Sequence, residues 1–374
     1  IETWTFDRDF MPESILRCTS DLGRRLERGF RRHIRQHEII DDDHVCPDTL
    51  DMGWHVWCNP FGVEIPTEYI EDAEGVMTGY HFDCPIKDLR DGYAMVQPAT
   101  FGVDREGTAA EKTFLEETFG DILPVVIRSG VYGATYLTQC LIRLMSTETF
   151  FMAMYDCPDQ LHGIMALLRD NAVRMARWAE AEGLLVQNSG NQCTCGTCFN
   201  FTTLLPKAPV QAGKVRLSDM WAGMDSQETV GVSPELFHEF AFPYYRDLPD
   251  MFGWVYWGCC VPAHPIWETS LSKLPHLKAV SISRWADQHF MADALADTGI
   301  VYSRKPDPNL LGVDVALNEA AWAAEIRGTL QIVAKQQNLP LQFIVRDVYS
   351  LHGNLQKARR AVEIARQEIA RFYD

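Results

Sequence analysis

Residues 215–257, VRLSDMWAGMDSQETVGVSPELFHEFAFPYYRDLPDMFGWVYW, read as strand, helix, strand. Val215–Trp221 and Gly253–Trp257 are short β-type runs. Between them Ser233-Pro234-Glu235 gives an N-cap, a proline in the first turn and an early carboxylate on the positive helix end. That helix is expected to stop near Gly253. The same alternation extends both ways, with β-type runs at Ile122–Ile127, Leu184–Gln187, Leu277–Ile282, Ile300–Ser303 and Leu341–Val345. The clearest helix runs from Pro158 to Glu182, with Asp156 or Cys157 at its cap and Gly183 at its end. A last helix starts at Asn354 and carries Leu355, Ala358, Val362, Ala365 and Ile369 on one face.

Strands alternating with helices predict a parallel sheet with helices outside it. Seven βα units can be counted, with an eighth strand in Trp54–Cys58 or Ala94–Gln97. The expectation is an α/β protein whose residues 1–374 form a single (β/α)8 TIM-type barrel. Residues 1–100, rich in Trp, His, Pro and Asp, form its N-terminal extension. No internal repeat and no Pro/Gly/Ser linker marks a further domain boundary.

Composition narrows the functional classes. The chain has 34 Lys+Arg against 51 Asp+Glu, a formal charge of −17, with 47% hydrophobic and 23% charged residues. This is the balance of a globular protein, which excludes disorder, collagen and coiled coil. The acidic surplus argues against nucleic acid as a partner. Arg24, Arg25, Arg28, Arg31, Arg32 and Arg35 recur at helical spacing, either as a solvated face balanced by Asp41, Asp42 and Asp43 or as a steering surface for an anion. No apolar run reaches the ~18 residues of a membrane span. The acidic start Ile1-Glu2-Thr3-Trp4 lacks the apolar core of a signal peptide. Eleven cysteines, several of them bunched, suggest free thiols or metal ligands in a reducing compartment, so a cytoplasmic location is expected.

In such a barrel the reactive groups stand at the C-terminal ends of strands. Asp225, Ser226, Gln227 and Glu228 follow one strand; Gly258, Cys259, Cys260 and His264 follow the next after Trp257. Arg284 and Asp287, then Arg304 and Lys305, then Arg346, Asp347 and His352 follow the later ones. Asn188 and the Cys193-x-Cys195-x-x-Cys198 cluster follow Leu184–Gln187. Cys259 and Cys260 with His264 offer thiolate and imidazole to zinc, or are two buried thiols beside a loop histidine. The three-cysteine cluster has no partner C-x-x-C and reads as a reactive or structural loop. Asp225 and Glu228 either accept protons, bind metal or cap the following loop. Arg284, Arg304 and Lys305 either bind an anionic substrate or pair with Asp287 and Asp307. Phosphate-binding and serine-hydrolase motifs are absent.

These residues resemble the uroporphyrinogen decarboxylase superfamily, which holds both that decarboxylase and zinc-dependent corrinoid methyltransferases. The resemblance rests on Ser226-Gln227-Glu228 leading into Val232–Phe237 and Phe242-Pro243-Tyr244, on Val255–Cys260, and on Leu351-His352-Gly353. Gly133–Tyr136 fits more loosely, and about two-thirds of the chain is covered. The family fold is a (β/α)8 barrel. The arginine-rich substrate motif of the decarboxylase is absent. Its tyrosine corresponds to Tyr136 or Tyr132. The Gly-Cys-Cys sequence is similar to that of demethylating methyltransferases, although the family's usual His-x-Cys is missing.

What the resemblance implies is a methyltransferase that removes a methyl group from a small methoxylated, aromatic substrate and passes it to a corrinoid protein. Zinc would be held by Cys259, Cys260 and His264. Glu228, Tyr136 and His352 would be catalytic, with His352 as proton donor. Arg284, Arg304, Asp225, Asn188 and Trp257 would contact substrate. Trp54, Trp57, Tyr80 and Tyr93 either wall an apolar pocket or pack in the core. The alternatives are a metal-free decarboxylase of a small aromatic or heterocyclic acid and a non-enzymatic corrinoid or metal carrier. An apolar exterior would suit a homodimer.

Overall fold

Near-continuous apolar runs, rather than alternating ones, mark strands covered on both faces, and the structure places them so. The computed structural model describes residues 1–71, 77–128, 135–191, 193–195, 198–199, 201–206 and 214–373. The chain divides into a central unit, Thr49–Lys278, and a terminal unit in which Ile1–Asp48 joins Ala279–Asp374. The expected extension 1–100 is thus divided between the units at Asp48–Thr49.

In the central unit, Trp221–Met224 and Trp254–Trp257 run parallel, with Trp254 opposite Trp221 and Trp257 opposite Met224. All of these residues but Trp254 are buried. Leu50–Met52 pairs in parallel with Val125–Ile127. Two antiparallel ribbons pair His55–Asn59 with Thr100–Asp104 and Thr67–Glu71 with Met77–Phe82. The helix Pro158–Ala181 matches its expected span and buries Leu161, Ile164, Met165, Leu168, Ala172, Ala176 and Ala179, the i, i+3, i+4 stripe of an amphipathic helix. Gly183 follows with φ +70°, a left-handed conformation that suits glycine.

In the terminal unit, the strand that begins at Leu277 continues through Ile282 and pairs in parallel with Val301–Arg304, which pairs in parallel with Leu341–Phe343. Helices Gln288–Leu295, Glu319–Val333 and Gln356–Tyr373 accompany them. The core joins Phe6, Phe10 and Met11 from the N-terminal segment to Trp322, Ile326, Ala358, Ala361 and Ile364. Trp322 satisfies its buried indole by donating to Ala361 O at 2.8 Å.

Several expectations are corrected. The parallel α/β character stands, and an eight-stranded barrel is not shown among the described strands. Trp54–Cys58 overlaps an antiparallel strand and Ala94–Gln97 a short turn, so neither supplies an eighth parallel strand. Leu184–Gln187 forms no ladder. The single helix after Ser233 is two, Pro234–Phe240 and Phe242–Arg246, because Pro243 lacks an N–H and its ring bars an unbroken helix. The arginine helix, Asp21–Arg35, is committed to its own unit. Arg24 and Arg28 pair with Glu13, Arg31 with Glu27 at 2.8 Å, and Arg32 with Asp7 at 2.6 Å. Asp41 and Asp43 instead meet Arg359 and Arg366. No described helix is long and apolar enough to cross a membrane.

Candidate active site

The two strands of the central pair end together. Trp257 lies opposite Met224, and Gly258 N donates to Met224 O at 2.7 Å. The loops carrying Asp225–Thr229 and Gly258–Cys260 therefore leave one edge.

The first loop is knitted to helix Leu137–Leu144 and to the Phe242–Arg246 helix. Thr138 Oγ1 donates to Glu228 Oε2 at 2.8 Å, and lies 3.2 Å from both Ser226 Oγ and Tyr245 Oη. Thr138 N donates to Tyr245 Oη at 3.0 Å, and Tyr245 Oη donates to Asp225 O at 2.6 Å. Ser226 Oγ stands 3.1 Å from Thr229 Oγ1. Tyr245 is fully buried, and burial drives its phenol well above the ordinary range, so it remains a neutral donor. Its ring meets Trp257 edge-on at 5.1 Å. Glu228 is thus a half-buried carboxyl held by the Thr138 hydroxyl. Cys140, two residues on from Thr138, is pushed up to about 11, by burial first, against the pull of Arg143 and with a further push from Glu228.

The second loop brings Cys259 Sγ and Cys260 Sγ to 3.6 Å. With Zn–S bonds of about 2.3 Å, neighbouring tetrahedral ligands stand about 3.8 Å apart, so the pair alone fits one edge of such a set. Yet no group of three or more His, Cys, Asp or Glu able to hold a metal ion exists among the described residues. His264, half-buried at the start of the His264–Ile266 turn, does not complete a set with the two thiols. The zinc set that the resemblance implies is therefore not shown among the described residues.

The other expected residues are divided between the two units. Trp257 is fully buried between Tyr245 and Phe237, and its Nε1 has no hydrogen-bond partner among the described residues. Tyr136 is half-buried just before helix Leu137–Leu144, whereas Tyr132 and Gly133 lie outside the described residues. Asn188 is spent on the start of a strand, donating to Trp221 O and accepting from Trp221 N, both at 2.9 Å. Arg284 pairs with Asp307 at 2.5 Å. Arg304, 2% exposed, donates to Glu325 at 2.6 Å and to Ser283 O at 2.7 Å. His352, in the terminal unit, is exposed with φ +54°, and its Nε2 lies 3.0 Å from Gly312 O. Cys193–Cys195 and Cys198–Phe199 form a small antiparallel pair, with Cys198 buried. Trp57, Tyr80 and Tyr93 are exposed, so core packing is not their role. Trp54 lies under the Arg105 guanidinium at 5.4 Å.

Thr138 and Tyr245 escaped the sequence reading. Neither sits at a strand end; each reaches the loop from a helix, a placement that local sequence does not announce. The Ser226-Gln227-Glu228 run was the available signal.

No protein-family model matches the chain. No curated protein matches it. Among solved structures it is similar to a methyltransferase from Methanosarcina mazei, at 11% sequence identity and a TM-score of 0.45, over 92% of this chain and 86% of that one. A likeness that distant establishes neither family nor activity.

Proposed function

We propose that the protein is a methyltransferase that demethylates a small, uncharged methoxylated aromatic compound, with the methyl group accepted by a corrinoid carried on a partner protein. The observation that carries this reading is the placement of Glu228, held by Thr138, at the same strand edge as the Cys259–Cys260 pair. A methyl ether is a poor donor because the departing phenolate is basic. A carboxylic acid delivering its proton to the ether oxygen as the carbon–oxygen bond breaks removes that obstacle. The electron pair of that bond stays with oxygen, the phenol leaves neutral, and the corrinoid, as second substrate, supplies the pair for the new bond to carbon. Thr138 and Tyr245 act by position, since one fixes the carboxyl and the other fixes Thr138 and the loop backbone.

The competing decarboxylation needs a cation for the substrate carboxylate. Of Arg284, Arg304 and Lys305, the cations named for an anionic substrate, the two arginines are already committed, Arg284 to Asp307 and Arg304 to Glu325. This favours an uncharged donor.

The test is incubation of the purified chain with chemically reduced free cobalamin and a panel of methoxyphenols, following phenol release. Release that depends on both protein and reduced cobalamin is expected, falling about a hundredfold or more in Glu228→Gln. Carbon dioxide release from aromatic acids, with no demethylation of any ether, would overturn the reading.

A further inference from the structure

We propose that the ribbon of Thr67–Glu71 and Met77–Phe82 is an interface between two copies of this chain, in which the outer edge of Met77–Phe82 pairs antiparallel with itself about a two-fold axis at Tyr80. The proposal goes beyond methyl transfer and does not depend on it.

The ribbon is anchored at its base. Phe82 lies under the Arg143 guanidinium at 5.4 Å, and the Cys84 thiol donates to Ile142 O at 3.4 Å. Farther out it is exposed on both faces. Tyr69 stands opposite Tyr80 on one face, and these two are 65% and 59% exposed. On the other face Glu68 stands opposite His81 and Ile70 opposite Gly79, with Glu68, Ile70 and His81 exposed. Among the described residues this sheet holds two strands. Two strands with water on both faces are marginally stable, and a third strand or an apolar cover is what secures such a ribbon. Each outer edge also offers a row of backbone N–H and C=O groups to an added strand.

The two edges differ in charge. Thr67–Glu71 carries Glu68 and Glu71, and charged residues of this kind keep an edge strand from pairing. Met77–Phe82, MTGYHF, has no carboxylate, lysine or arginine. Its regular part is Gly79–Phe82, because the register shifts beyond Ile70. Pairing that edge with its two-fold copy makes a four-stranded sheet with the carboxylate-bearing strands outermost. Side chains alternate between faces, so only residues of one face can stand opposite each other. Centred on Tyr80, the pairing sets Tyr80 against Tyr80 of the second copy, and His81 against Gly79 of the second copy. One face then carries a row of four tyrosines, two from each copy, and aromatic cross-strand pairs stabilise a sheet. On the other face no like charges meet. Centring on His81 instead would oppose two imidazoles. The contact is the same patch on both copies, so it closes at a dimer.

Sedimentation velocity of the full chain over the micromolar range is expected to show a dimer. Tyr80→Glu sets two carboxylates face to face and should raise the dissociation constant about a hundredfold or more. Because Tyr80 is exposed, the far-ultraviolet circular dichroism of that variant should be unchanged. Tyr80→Lys should also be monomeric, and an equimolar mixture of the two variants should recover the dimer, since unlike charges then meet at the axis. Tyr80→Cys supplies a second readout. Opposed Cα atoms of an antiparallel pair stand about 4.5–5.5 Å apart, within reach of a disulfide, so oxidation should link two copies through the introduced thiols. A wild type that stays monomeric, an oligomer that persists in Tyr80→Glu, a mixture that stays monomeric, or an oxidised Tyr80→Cys chain without that linkage would overturn the proposal. Mass and linkage are read without any turnover, so they stand apart from a failure to detect demethylation.

Discussion

Two polar side chains in the central unit have comparable hydrogen bonding and opposite consequences. Glu228 accepts from the Thr138 hydroxyl through one carboxylate oxygen. Asn188 uses both ends of its amide on the backbone of Trp221. Replacing Asn188 with Ala leaves a buried N–H and C=O unpaired and should cost about 1–3 kcal/mol in urea unfolding, with KM for any substrate unchanged. A raised KM at full stability would restore its expected role in substrate contact. Cys140 gives a pH dependence. Its thiol is raised from 9.0 to about 11, so its contribution to stability is complete below pH 9 and is lost as the pH rises through 11. Stability should therefore fall across that interval in the wild type and less steeply in Cys140→Ala; equal slopes would contradict the assignment.

At the scale of elements, caps and prolines were the legible signals. The Ser233 hydroxyl accepts from Leu236 N at 3.3 Å, and Pro234 follows it. Ser233→Ala should destabilise the protein by about 1 kcal/mol in the same assay; no change would show that the cap contributes nothing. The helix Pro158–Ala181 was readable end to end because its apolar stripe, proline start and glycine stop agree. Strands were less legible, for identifiable reasons. Leu184–Gln187 has a strand's composition, but the next residue, Asn188, uses its side chain where a ladder would pair. Val215–Trp221 begins as a turn because Arg216 and Asp219 close a box at 2.8 Å, which also holds the Asp219 carboxyl below its usual range; only from Trp221 does the chain extend. Pro243 divides what the N-cap at Ser233 predicts as one longer helix.

For the whole molecule, the acidic balance and the committed arginines belong together. With Arg24, Arg28, Arg31 and Arg32 each facing a carboxylate, a chain of charge −17 presents no free cationic stripe on that helix. It should pass through a heparin column at low salt, whereas salt-dependent retention lost on replacing Arg24 and Arg28 would contradict this. The parallel α/β plan was legible because short β-type runs alternate with helical stretches along the chain. Strand count and spacing say nothing of which edges meet, so closure into a barrel stays an expectation that the described strands do not show. The site was half legible. Glu228 and the cysteine pair lie at strand ends as the plan requires, while Thr138 and Tyr245 arrive from helices distant in sequence.

The central claim is that Glu228 protonates the departing oxygen. Its most direct test is the demethylation rate across aryl methyl ethers whose phenols differ in acidity. The account predicts a nearly flat dependence for the wild type and a steep one for Glu228→Gln, with the most acidic phenol least affected. Parallel slopes in the two proteins would contradict it.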